Sequence, residues 1–475
     1  MSEIKQHAER IVRKLRDEGY QAFLVGGCVR DLLLGREPSD YDVTTNATPD
    51  DVIRILPQTY AVGAQFGVVL VPTKITALAD VDNATDKASA SAENIEGEAD
   101  GADSGESNLV EVATFRSDIG YRDGRHPDQV RFSHSAQEDV ERRDFTINGL
   151  LLDPMNGNVL DYVGGQDDLK AKIIRTIGNP EWRFAEDKLR MLRAVRFAAR
   201  FGFTIEPATM AAIQRLAPQL APEAHQVSRE RVRDELTKML TEGQAHKAFR
   251  LLDECGLLEE VLPQISAMKG VQQPPQFHPE GDVFVHTLLL LEKLPHPCPA
   301  SLAWGALLHD VGKPATFRIA PDRIRFDGHV AVGVKMAEEI CRRLRFSNDD
   351  TEQILGLIDN HMRFSNVLQM KDSTFKRFVR QPRFEEHLEL HRLDCLASHG
   401  DLGSYQFTRQ RIASIPPEAI RPAPLVSGDD LIAAGYEPGP RFKLMLSLVE
   451  DAQLEGRLSS KETAMGYVKE QFPLL

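Results

Sequence analysis

The chain has 475 residues, 42% of them apolar and 27% charged, with a formal net charge of −14. That length exceeds what one hydrophobic core supports and predicts three or more domains. No stretch approaches the roughly 18 apolar residues of a membrane helix. The N-terminal segment MSEIKQHAERIVRKLRDEGY is charged and patterned as a helix, without the apolar centre of a signal peptide. The five cysteines (Cys28, Cys255, Cys298, Cys341, Cys395) are scattered, with no CxxC pair. This fits a reducing cytoplasm and argues against a disulfide framework or a thiolate zinc site. The net charge first argues against a nucleic-acid partner, but its location removes that objection. Residues 79–108 hold nine acids and one lysine, so 8 of the 14 net charges sit there and −6 is left for the rest. The segment is rich in Ala, Ser, Gly and Asp, the composition of a disordered acidic insertion.

Along the chain, residues 4–18 read as an amphipathic helix with Ile4, Ala8, Ile11, Val12 and Leu15 on one face. An apolar run at 22–25 ends in Gly26-Gly27, a strand followed by a tight turn, and 29–34 form the next helix. Asp42-Val43 end a second strand, and 49–56 form a helix. Residues 68–72 and 109–115 read as paired strands, with the acidic segment between them where a hairpin tolerates extra length. From Glu181 helical periodicity dominates, broken by proline-rich stretches at 273–276 and 416–424, and no internal repeat is found. The pattern predicts an α+β protein, with a head of small mixed sheet and helices at 1–150. An all-helical neck and body at 151–272, a further helical domain at 277–400 and a helical tail at 401–475 follow.

Asp40-Tyr41-Asp42 sets two carboxylates two positions apart, on one face of a strand. Alone, such a pair is two solvated acids near a turn. Here it follows LVGGCVRDLLLG, in which Gly26 and Gly27 let backbone N–H groups approach an anion and the next helix aims its N-terminus there. Arg30 on that helix can grip phosphate bidentately. Two carboxylates facing a phosphate cradle suit two-metal phosphoryl chemistry. One Mg²⁺ lowers the pKa of an attacking hydroxyl, and the other neutralises a triphosphate and its leaving pyrophosphate. Glu111, in LVEVATF, is the candidate third acid; the alternative is an ordinary strand residue.

The run LVGGCVRDLLLGREPSDYDVTTNATPDDV resembles the signature of class II tRNA nucleotidyltransferases and bacterial poly(A) polymerases. The resemblance continues through ERRDFTINGLLLDPMNGNVLDYVGG and RFAEDKLRMLRAVRFAARFGF, over roughly residues 10–250. It implies a DNA polymerase β-like nucleotidyltransferase head, followed by a neck and body that bind the nucleotide base and tRNA.

Residues 186–190 open a helix. At about 100° per residue, Arg190, Arg193, Arg196 and Arg200 fall on one side, opposite Met191, Leu192, Val195, Ala198 and Ala199. The bland account is a solvated arginine face, with Asp187 and Arg190 paired at i and i+3. The chemical account is sharper. A carboxylate accepts from the exocyclic amino group of cytosine or adenine, while a guanidinium donates to the ring nitrogen beside it. Guanine and uracil present a carbonyl and an N–H in those places, and each unpaired buried group costs about 1–3 kcal/mol. In the family the matching motif reads the base, with the protein as template. By that resemblance Asp187 and Arg190 go to the base, and Arg143 (of RRDFTIN), Arg193 and Arg196 to the nucleotide and its phosphates. Asp144 either joins them or holds the loop.

The segment FRSDIGYRDGRHPDQVRF resembles the flexible loop of CCA-adding enzymes, where DGR-x-P is usual, and the tail from Ser427 resembles theirs too. The expected activity is addition of C, C and A to tRNA 3′ ends from CTP and ATP, with Mg²⁺ in the head. CC-only or A-only addition and poly(A) synthesis are the alternatives. The tRNA is expected along the helical body and tail through its phosphates, with RVRDELTK and FKRFVR as candidate contacts. A cytoplasmic location follows, with no membrane and no protein partner.

The C-terminal half holds a second constellation, in helical segments: His286, His309-Asp310, His329, His361 and Asp394. Imidazole plus carboxylate suits a divalent transition metal or Mg²⁺, with positions left for water and phosphate. The spacing resembles the HD phosphohydrolase domain. That resemblance implies His286, His309, Asp310 and Asp394 as core ligands, His329 and His361 as an extension to a second metal, and Lys313 facing phosphate. It also implies hydrolysis of phosphomonoesters or 2′,3′-cyclic phosphates, the alternative being a retained fold with a silent site. Neither a binding protein with a dead head nor a pure hydrolase accounts for both constellations.

Overall fold

The protein is described by a computed structural model covering residues 2–60, 67–73, 109–119, 129–221, 224, 226–276 and 278–474. The acidic segment 79–108 and the DGRHP loop lie outside the described residues. Two compact units divide the chain, Met1–Ser266 and Ala267–Leu475.

The first unit opens with the helix Glu3–Asp17, which buries Ala8, Ile11, Val12 and Leu15. Short strands follow, among them β1 (Ala22–Val25), β2 (Asp42–Thr45), β3 (Val68–Pro72), β4 (Leu109–Thr114), β5 (Arg116–Ile119), β6 (Gln129–Phe132), β7 (Leu150–Leu152) and β8 (Val159–Asp161). Six of them form one mixed sheet in the order β3-β4-β2-β1-β7-β8. The β3–β4 pairing expected across the acidic insertion is present, antiparallel from Val68↔Ala113 to Pro72↔Leu109. β2 and β4 are parallel, with Val43 opposite Val112. The second strand therefore begins, rather than ends, at Asp42. Val25, Phe115, Ala136, Val140 and Leu151 form a core cluster against this sheet. The rest of the unit is mainly helical, with Pro180–Glu186, Leu189–Phe201 and Arg229–Thr241 the helices that matter below.

In the second unit Val283–Glu292, Ala300–Leu308, His329–Arg343, Asn348–Asn360 and Phe384–Ala397 are packed helices. Its C-terminal part has its own core of Val426, Leu431, Tyr436, Met445, Val449, Ala464 and Val468. Among the described residues, no helix is long and apolar enough to cross a membrane.

Candidate functional site

In the first unit, Gly26 sits at φ +75°, a backbone region that favours glycine, where β1 turns into the helix Gly27–Leu33. Asp40 lies two residues ahead of β2, and Asp42 is its first residue. The Val43–Val112 register makes Asp42 and Glu111 neighbours on the opposite face of the sheet. Burial pushes the Glu111 carboxyl up, against the pull of Arg143, Arg116 and Arg142 nearby. Arg143 is also anchored, Nη2 to Asp139 Oδ2 at 3.3 Å. Arg30 has a different employment from the expected grip on phosphate. It is 1% exposed; its Nε donates to Asp31 Oδ1 (2.9 Å) and its Nη1 to Asn148 Oδ1 (2.8 Å). Its guanidinium lies over Phe201, 4.6 Å from the ring centroid.

The Asp187 region departs from the expected continuous helix. One helix ends at Glu186, and the next starts at Leu189. Asp187 stands in the break with extended backbone, its Oδ1 accepting from Leu189 N at 3.0 Å. Asp187 and Arg190 are anchored to other residues. Arg231 grips Asp187 bidentately, at 2.6 and 3.3 Å, while Arg190 Nη1 bonds Glu186 Oε2 at 2.5 Å. The arginine face is buried rather than solvated: Arg190, Arg193 and Arg196 are 7%, 3% and 1% exposed. Buried guanidinium groups require carboxylates. Arg193 bonds Asp144 Oδ2 (2.9 Å), Arg196 bonds Glu235 Oε2 (2.8 Å), and Arg196 and Arg200 share Glu242. Asp144 also accepts from Phe145 N and Asn148 Nδ2, so it holds the loop. Burial favours neutral Asp144, but Arg193 and Arg190 hold its pKa below the usual carboxylate value. The basic stretches picked as RNA contacts have internal partners. Arg231 belongs to Asp187, and Arg377 and Arg380 bond Glu450 at 2.7 and 2.6 Å.

In the second unit the six ligand-type residues converge. Among the described residues, the groups whose donor atoms lie within 4.8 Å of one another are His286/His309/Asp394, Asp310/His329/His361 and His278/Glu280/His286. His286 Nε2 is 3.2 Å from Asp394 Oδ1 and 3.4 Å from His309 Nε2. Asp310 stands between the first two groups. Its Oδ2 is 3.2 Å from His309 Nε2, and its Oδ1 is 3.8 and 3.9 Å from the Nε2 atoms of His329 and His361.

The tautomers follow from geometry. His309, His329 and His361 place Nδ1 at 2.9, 2.9 and 2.7 Å from the carbonyls of Ala306, Phe326 and Ile358. A carbonyl only accepts, so each Nδ1 carries the hydrogen, and Nε2 is the atom each ring turns inward. His309 and His361 are C-cap residues, just past their helices, where the last-turn carbonyls lack helical partners. The buried Nε2 atoms of His329 and His361 have no hydrogen-bond partner. Two lone pairs facing a carboxylate oxygen fit a cation between them. Burial, aided by His309, pushes His361 down to about 4, which keeps its ring neutral. Lys313 Nζ lies 2.7 Å from Asp310 Oδ2 and donates to Gln273 Oε1 at 2.7 Å. Sequence reasoning missed Gln273, His278 and Glu280 because their segment reads as a proline-rich break; His278 and Glu280, close ahead of His286, were the available signal.

Comparison with known proteins covers both units. The poly(A) polymerase head domain model matches residues 22–99 and 80–175, the probable RNA- and SrmB-binding site of polymerase A matches 202–269, and the HD domain matches 283–397. The CCA-adding enzyme of Geobacillus stearothermophilus is 40% identical over 252 residues, 53% of either chain, so the chain spans about half the length of that curated relative. The A-adding tRNA nucleotidyltransferase of Deinococcus radiodurans is 33% identical over 358 residues, 72% of this chain and 81% of that one. The crystal structure of Bacillus stearothermophilus CCA-adding enzyme in complex with CTP superposes with a TM-score of 0.70 at 28% identity, covering 99% of this chain and 98% of that one.

Proposed function

The chain belongs to the family of tRNA nucleotidyltransferases and poly(A) polymerases, and on that premise we propose that it adds C, C and A to tRNA 3′ ends from CTP and ATP, without a nucleic-acid template. The observation that carries this reading is the fixing of Asp187 and Arg190 on buried, charge-paired supports in the first unit. A carboxylate has about four acceptor sites, and Leu189 N and Arg231 take three on Asp187. One acceptor is left for the amino group of cytosine or adenine, and Arg190 donates to the adjoining ring nitrogen. Guanine and uracil offer the wrong partner to both.

In the transfer, the 3′ oxygen of the RNA bonds to the α-phosphorus, the bond to pyrophosphate breaks, and the hydroxyl loses its proton. Asp40 and Asp42, with Glu111 beside Asp42, are the oxygen donors suited to Mg²⁺. When bound it neutralises triphosphate charge and favours the deprotonated hydroxyl. Gly26 admits the backbone to the triphosphate. Arg143 faces the triphosphate, and Arg193 and Arg196, held in place by Asp144 and Glu235, go to the nucleotide, while Arg30 holds the glycine turn in place. A cytoplasmic location, with tRNA and nucleotides at hand, belongs to the same reading.

Sequencing the products made on tRNA ending before CCA, with mixed triphosphates, tests the proposal. Added C-C-A supports it; only C-C, only A, or long A tails on unstructured RNA would replace it with a partial or poly(A) activity. Pyrophosphate release from CTP should require tRNA and vanish in Asp40→Ala.

The partnerless Nε2 atoms of His329 and His361 favour a second reading, metal-dependent hydrolysis in the HD domain. His286, His309, Asp310 and Asp394 would hold one divalent ion, and Asp310, His329 and His361 a second. Such ions supply a nucleophile from water and a clamp for phosphate, and Lys313 keeps a third N–H for a phosphate oxygen. Its substrates would be phosphomonoesters or 2′,3′-cyclic phosphates at damaged 3′ ends. Equal cleavage of 2′,3′-cAMP by wild type and His309→Ala would discard it.

A further inference from the structure

The segment 271–283, which contains the proline-rich break at 273–276, closes on itself beside the HD histidines. Gln272 bridges Asp282, Gln273 N donates to Gly281 O (3.2 Å), and Val283 N donates to Val271 O (3.0 Å). Asp282 then caps the helix bearing His286, accepting from Val285 N at 2.7 Å. The strap is thereby fixed to the start of that helix.

Two of its side chains, Glu280 and His278, contact the ligand His286, and a third, Gln273, contacts Lys313. Glu280 Oε1 lies 2.7 Å from His286 Nδ1 and 2.9 Å from His278 Nδ1. The two imidazoles meet edge to face, with centroids 4.9 Å apart. Gln273 Oε1 accepts from Lys313. His309, His329 and His361 each use a backbone carbonyl three residues back to fix their tautomer. His286 lies in the second turn of its helix, where the carbonyls behind it are taken up by the helix itself. For His286 a side chain, Glu280, takes that role.

We propose that Glu280 is the positioning residue of the HD metal centre. It receives Nδ1–H of His286, aims Nε2 at Asp394 and His309, and is itself steadied by His278. This rests on the HD metal reading above. A carboxylate that holds a metal-ligating imidazole in this way alters metal affinity by about 10–100-fold.

The test is titration of the metal-free full chain with Co²⁺, read by calorimetry and by the d–d absorption of the bound ion. Glu280→Ala should weaken binding by about 10–100-fold, and Glu280→Gln, which keeps one acceptor oxygen, should fall between it and wild type. In a His286→Ala background Glu280→Ala should cost less than about twofold more, while in a His361→Ala background the full loss should persist. Glu280→Ala binding like wild type would overturn the assignment. So would an equal loss with His286 already removed, which is what general damage to the fold would give. A wild-type chain that binds no Co²⁺ would overturn the HD metal reading and the assignment together; wild-type binding with an unaffected Glu280→Ala overturns the assignment alone.

Discussion

At the scale of single residues, the first unit turns on how it accommodates arginine. Arg30, Arg190, Arg193, Arg196 and Arg231 are all less than 9% exposed. Buried carboxylates offset them, and the same pairs fix the side chains assigned to base and nucleotide. Truncating one partner of such a pair strands a buried charge, at a cost of about 3–5 kcal/mol. Arg231→Leu is therefore expected to destabilise the first unit by about that much and to loosen Asp187. Denaturant unfolding followed by circular dichroism should show the loss. At a temperature where the variant stays folded, the ratio of UTP to CTP incorporated should rise. Arg54→Ala is the contrast, since Arg54 pairs with Asp51 and Glu18 while its own side chain is 57% exposed. Its denaturation midpoint should stay close to that of the wild type, as expected for a solvent-screened pair. An Arg231→Leu protein as stable as Arg54→Ala would remove the argument that the pair positions Asp187.

At the scale of elements, the HD histidines are ordered by close backbone approach. A Cβ on Gly312, in HDVGK, would stand 2.1 Å from His329 O and 2.6 Å from Gly333 N. Neither backbone atom can step aside without moving the helix His329–Arg343 away from Asp310. Gly312→Ala should thus destabilise the second unit by at least about 1–3 kcal/mol and weaken Co²⁺ binding through His329, measurable by thermal melting and metal titration. Unchanged binding would mean that His329 is not a ligand. The glycine's need is invisible in the sequence because it arises between residues 17 apart that meet only on folding. Elements with local signals were legible: the amphipathic first helix, the β3–β4 pairing across the insertion, and the converging histidines. The break at Asp187 was not, because 100° periodicity continues through it and only the Arg231 partner marks the change. The burial of the arginine face was hidden for a related reason. Pattern separates polar from apolar sides but cannot tell water from carboxylates on another helix.

At the scale of the whole molecule, the two units carry different histidine burdens, and this gives acid stability a direction. In the helix Phe384–Ala397, His387 and His391 are 3% and 8% exposed. Burial, with Arg363 nearby, pushes His387 down to about 4. Burial does the same to His391, outweighing Asp394 and reinforced by His399. His391 is stacked on Phe364 at 4.5 Å and bonded to Ser404. Both rings are neutral in the folded unit and titrate near 6.5 once unfolded. The unfolded chain therefore binds more protons between these values, and stability must fall as pH drops from about 6.5 toward 4. The drop corresponds to on the order of 3 kcal/mol per imidazole, together comparable with the 5–15 kcal/mol that holds a typical domain. His286, pushed up to about 9 by Asp394 and Glu280 against its burial, acts in the opposite sense, but its change falls above 6.5 and offers no relief in the acid window. In the first unit His7, on the N-terminal helix, also has a lowered pKa, through burial aided by Arg10 and Lys14. The chain supplies its own reporter, because one of its two tryptophans, Trp304, is fully buried in the second unit while Trp182 of the first is already 74% exposed. Acidification should shift Trp304 emission to the red between pH 6.5 and 4, with the midpoint moving to lower pH in His387→Leu. Emission that holds to pH 4 in the wild type would show that these two imidazoles do not set the acid limit of the second unit.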